Sequence, residues 1–170
     1  MRSLMPVVLA GHCAIAGCQS STDVVIDVTT DVPCGGAQRL TTAIAAGDFG
    51  DIEARAPVAT TTHCDPSTGR IGSLVLVPSG AEDARVAVRV IGAIDRAPVQ
   101  CQTSAQGCIV SLRAVQFIPH ETIELPVDLS ARCEGVACGP LQTCVDGSCV
   151  AVEGAAGADA GPDAGSDVVP

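Results

Sequence analysis

Ile123-Glu124-Leu125-Pro126-Val127-Asp128-Leu129-Ser130 is the stretch on which the fold turns. In an extended chain, side chains point alternately to the two faces of a sheet. Ile123, Leu125, Val127 and Leu129 therefore share one face, and Glu124, Pro126, Asp128 and Ser130 share the other. Strict period-two patterning of this kind predicts a half-buried strand. Pro126 has no N–H to give to a ladder, which places the strand at an edge or a bulge.

Working outward, Val86, Val88 and Val90 alternate with Ala87, Arg89 and Ile91 in a second clear strand pattern. Weaker candidates are Asp23 to Thr30, Arg39 to Ala45, Pro57 to His63, Ile71 to Val77 and Cys108 to Phe117. Turn chemistry separates them: Cys34-Gly35-Gly36, Gly47-Asp48-Phe49-Gly50-Asp51, Asp65-Pro66-Ser67-Thr68-Gly69 and Pro78-Ser79-Gly80. No window shows a convincing 3.6-residue apolar stripe. Seven short strands over residues 23–130 predict an all-β domain, an antiparallel β-sandwich of immunoglobulin-like or transthyretin-like type. The chain has no Trp and no Tyr, so Phe49 and Phe117 are its aromatic core candidates. A core short of aromatic area gains more from covalent staples.

The ten cysteines sort into three groups. Cys13 and Cys18 lie near the N-terminus; Cys34, Cys64, Cys101 and Cys108 lie within the sandwich. Cys101 and Cys108 flank a polar stretch where a hairpin loop is expected, which leaves Cys34 and Cys64 to pair. Four cysteines allow three connectivities, so the spacing suggests this pairing without fixing it. Cys133, Cys138, Cys144 and Cys149 form a tight cluster with Gly135, Gly139 and Gly147 between them, over residues 131–150. That cluster is too short and polar for a core of its own and calls for two disulfides. A zinc site is the competing reading, since four thiolates suit tetrahedral zinc. Export and the lack of a Cys-x2-Cys pair weigh against it.

Residues 1–17 carry one charge, Arg2, then the apolar run Leu4 to Ala10 and small residues, the plan of a secretory signal. The run is far shorter than the ~20 residues a membrane-spanning helix needs. The quartet Ile15-Ala16-Gly17-Cys18 resembles the lipobox of bacterial lipoproteins. That resemblance implies a lipidated Cys18 as the mature N-terminus, three acyl chains, a short anchor linker over residues 18–22 and attachment to a membrane. Because neither Gln19 nor Ser20 is Asp, the enteric sorting rule points to the outer membrane or the cell surface. An ordinary cleaved signal, giving a periplasmic or secreted soluble protein, is the alternative.

Cys133-Glu134-Gly135-Val136-Ala137-Cys138-Gly139-Pro140-Leu141-Gln142-Thr143-Cys144-Val145-Asp146-Gly147-Ser148-Cys149 resembles the small EGF-like modules of bacterial surface proteins. The resemblance implies the interleaved pairs Cys133 with Cys144 and Cys138 with Cys149. Residues 151–170, rich in Ala, Gly, Asp and Pro, have too little apolar area to offset ordering entropy and read as a disordered acidic tail.

Charge and motifs narrow the function without naming it. All nine basic residues are Arg, and the formal net charge is −10, more negative still once Arg2 leaves. No basic patch is present to hold a phosphate backbone, so no nucleic-acid partner is expected. There is no Gly-x-Ser-x-Gly, no phosphate loop and no His-Glu-x-x-His. His63 with Asp65 and His120 with Glu121 are candidate ligands to one metal if their strand ends meet. Asp48, Asp51 and Glu53 are carboxylates for calcium without the EF-hand spacing. Turn positions explain both sets as well. The expectation is a non-enzymatic envelope protein without cofactor or metal, a binding or structural module for an unidentified protein or glycan. The alternative is a metal-dependent or hydrolytic enzyme using His63 and His120.

Overall fold

The computed structural model describes residues 20–102 and 104–153. Residues 1–19, with the expected signal segment, Cys13 and Cys18, and the expected acidic tail from residue 154 onward lie outside the described residues.

The strands are β1 (Asp23–Thr30), β2 (Leu40–Gly47), β3 (Ala59–Thr61), β4 (Arg70–Leu76), β5 (Arg85–Ile94), β6 (Cys108–Gln116), β7 (Thr122–Leu129), β8 (Gln142–Val145) and β9 (Ser148–Ala151). Short 3₁₀ turns occupy Pro98–Gln102 and Ala131–Cys133. All seven expected sandwich strands form. They make two sheets, β4-β1-β7 and β3-β2-β5-β6, and β8-β9 is a separate hairpin. The immunoglobulin arrangement keeps its first two strands in one sheet. Here β1 and β2 lie in opposite sheets, so the order is not the immunoglobulin one. Pairing within the sandwich is antiparallel except between β1 and β7, which run parallel in register from Asp23↔Thr122 to Thr30↔Leu129.

Alternation places the core as the sequence dictates. Val24, Ile26 and Val28 of β1 and Val127 and Leu129 of β7 are buried, and they meet Ile44, Val88, Val90, Ile94 and Ile109 of the other sheet. Phe117 is the aromatic in this core. On β4 the period breaks: Ile71 and Leu74, an odd distance apart, both pack toward it. The cause is a register shift beside Val28, where Gly72 adopts φ 153°, a conformation natural only to glycine. One extra residue bends the strand and resets which face it shows.

The larger sheet is buried on its outer face too. Ala45, Ala87 and Leu112 of that face pack against Ile52 and Phe49 from the β2–β3 loop and against Leu141 and Val152 from the C-terminal region. Ile91, Ala93, Cys108 and Val110 pack under Cys101. Sheets buried on both sides read as near-continuous apolar runs, which is what Val86 to Ile94 is.

Four disulfides join Cys34 to Cys64, Cys101 to Cys108, Cys133 to Cys144 and Cys138 to Cys149. The last two interleave. Cys133 and Cys144 are part of the main sandwich core, so the cysteine cluster shares a core instead of lacking one. Ordered chain also continues past the expected boundary at residue 150. Ala151 completes β9, and Val152 is buried with its N–H donating to the Leu141 carbonyl at 2.9 Å.

Candidate functional site

The two histidines do not meet. His63 follows β3, close to the disulfide that ties the β3–β4 loop to the chain beyond Thr30, and its side chain is exposed. His120 precedes β7, at the opposite end of β1, where its N–H donates to Thr22 Oγ1 at 2.8 Å. Eight residues of β1 separate those ends, about 23 Å at ~3.3 Å per residue. One metal, with bonds of ~2 Å to each ligand, cannot take both. Among the described residues no three of His, Cys, Asp and Glu gather in a metal-holding group. The carboxylates weighed as calcium candidates are otherwise engaged or apart: Asp51 forms a 2.9 Å surface ion pair with Arg55, while Glu53 belongs to the cleft described next. The eight sandwich and cluster cysteines are all in disulfides and offer no thiolate.

The candidate site is a cleft of about 320 Å³ on the outer face of the larger sheet. Its floor is Val110 and Leu112 of β6 with Arg89 of β5. Its walls are Ile52 and Glu53 of the β2–β3 loop, the Cys101–Cys108 region with Gln102, and Val136 to Cys138 with Gln142 of the cysteine cluster. Three excursions thus converge on one stretch of sheet. Two of them are pinned by disulfides, Cys101–Cys108 and Cys138–Cys149.

Arg89 is the charged group at the centre. It stands between Ala45 and Leu112 across the ladder, on a face whose other members include Ala43, Ala87, Ile91 and Ala93. Burial pushes the Arg89 pKa down from its ordinary value, and the negative charge of Glu53 opposes that shift. The guanidinium stays charged regardless. Among the described residues it makes no hydrogen bond, and its distance to Glu53 exceeds that of an ion pair. Glu53 is held at the rim by its backbone, whose carbonyl accepts from Gln102 Nε2 at 3.3 Å.

Arg113, the other half-buried arginine, is satisfied structurally. It donates to the Leu112 carbonyl at 3.3 Å and to Thr143 Oγ1 at 3.1 Å. Burial lowers its pKa, and Asp128 opposes the shift.

No family model matches this chain, and no curated protein or solved structure does.

Arg89 was not among the residues that sequence patterning singles out, because in period two it reads as an ordinary outward polar residue. The available signal was its company. Ala87, Ile91 and Ala93 on the same face are apolar, so that face is covered, and an arginine on a covered face needs an explanation.

Proposed function

We propose that this chain is a non-enzymatic, exported envelope protein, anchored by lipid on Cys18 and presenting its β-sandwich as a binding module. The observation that carries the reading is the pairing of every cysteine beyond Cys18 in a disulfide. Such complete oxidation belongs to an oxidising compartment, and it leaves no described cysteine for Cys18 to pair with. The Ile15-Ala16-Gly17-Cys18 quartet then gives Cys18 its use. With ~0.8 kcal/mol per buried methylene, three acyl chains make attachment effectively permanent. The interleaved cluster supports a likeness to EGF-like surface modules, and outer membrane or cell surface is the destination that follows. The partner is of protein or glycan class, and loops held on a rigid sandwich are where such recognition is usually built.

Expression of the full-length chain with a radiolabelled or clickable fatty acid tests the anchor. Label should enter the native protein, and Cys18→Ala should lose it and move the chain from membranes to the soluble fraction. An acylated Cys18→Ala product would refute the assignment.

A further inference from the structure

We propose that the Arg89 cleft binds the carboxylate of a small monoanion with a compact apolar body. The inference rests on reading the sandwich as a binding module and is independent of how the chain is anchored.

A guanidinium carries five N–H donors in a planar fork that matches a carboxylate edge to edge. In this cleft none of them is engaged by the described residues, and the flanking Ala45, Leu112 and Val110 offer no side-chain acceptor. A half-buried cation whose donors are unengaged, in a cleft that mixes Ile52, Val110 and Leu112 with Gln102, Ser104 and Gln142, gains most from an anion that enters with it. Disulfides also pin two of the walls of the cleft.

Glu53 sets the charge of the occupant. It is the one carboxylate among the lining residues, and it balances Arg89 without touching it. A single negative charge seated on the guanidinium leaves one excess negative charge at the site. A phosphate dianion leaves two, with no second cation to receive them, inside a protein of net charge −10. Size sets the rest. About 320 Å³ lies at the lower end of small-molecule sites. Ile52, Val110 and Leu112 suit a short branched or cyclic hydrocarbon body, and Gln142 adds an amide at the wall.

The test is an NMR titration of the disulfide-intact full chain carrying Cys18→Ala for solubility, with isovalerate, its neutral amide isovaleramide, and inorganic phosphate as probes. Isovalerate should shift the backbone resonances of Arg89 and Leu112 saturably. Isovaleramide and phosphate should bind at least about tenfold more weakly, a bidentate charged contact being worth that much. Arg89→Gln should weaken isovalerate to the level of the amide, and Glu53→Gln should strengthen it. No saturable shift with isovalerate, or equal binding of acid and amide, overturns the proposal. Equal binding of phosphate overturns its selectivity for a monoanion. Should Arg89→Gln not fold, the acid–amide comparison on the chain retaining Arg89 decides alone. Failure here leaves acyl labelling of Cys18 unchanged, and failure of that labelling leaves the carboxylate titration unchanged.

Discussion

At the scale of single residues, backbone geometry sets the sharpest constraints. The turn Asp65-Pro66-Ser67-Thr68-Gly69 was legible because each letter has a job. Asp65 Oδ1 accepts from Ser67 Oγ at 2.6 Å and from the Ser67 N–H at 2.8 Å, and these bonds hold the Asp65 carboxyl below its ordinary pKa. Gly69 closes the turn with φ 70°, its N–H donating to the Asp65 carbonyl and its own carbonyl accepting from Thr30 N at 2.9 Å. A Cβ at Gly69 would run into the Thr30 carbonyl oxygen, a backbone atom that cannot step aside. Left-handed strain of ~1–2 kcal/mol for a residue with a side chain adds to that collision. Gly69→Ala should therefore cost more than about 2 kcal/mol of stability by urea denaturation. A loss under ~0.5 kcal/mol would show that the β3–β4 loop shifts freely. Arg89, by contrast, was invisible as a site. Its chemistry comes from three segments distant in sequence, and period two says nothing about what covers an outer face.

At the scale of elements, β7 behaves as its alternation requires: Val127 and Leu129 are fully buried, and the strand is an edge, where Pro126 is tolerated. On β4 the letters alone mislead, since the bulge beside Gly72 changes which residues point inward. One edge of the larger sheet, β6, is managed from outside its own hairpin. Thr143 of β8 is buried, and its Oγ1 accepts from the Leu112 N–H at 3.0 Å as well as from Arg113. An uncovered edge strand invites pairing with other chains, and this contact occupies one of its donors. Thr143→Val keeps the shape and removes the acceptor, leaving a buried N–H without a partner. The expected cost is about 1–3 kcal/mol. Thr143→Ser, which retains the hydroxyl, should stay closer to the native value. Equal losses for Val and Ser would assign the effect to packing and not to the hydrogen bond.

At the scale of the whole molecule, the cysteine cluster is a continuation of the sandwich. Cys133 and Cys144 enter its main core, Val152 covers the outer sheet, and Asp31 receives the Ser130 hydroxyl at 3.1 Å and the Ala131 N–H at the junction. A chain ending at Ser130 should melt at least about 10 °C lower than one ending at Glu153, since several kcal/mol of shared burial leave with the cluster. Coincident melting of the two would make the cluster an independent module. The sequence by itself determined the strands, the turns between them and the need for staples. Those follow from period two, from glycine and proline geometry and from a core poor in aromatics, all properties of neighbouring residues. Only the tertiary structure decided that β1 and β2 lie in opposite sheets, that the outer face of β2-β5-β6 is covered, and that Arg89 lies in a cleft there facing Glu53. Those are contacts between segments far apart in the chain, and burial of one face can be satisfied by more than one partner until packing selects it.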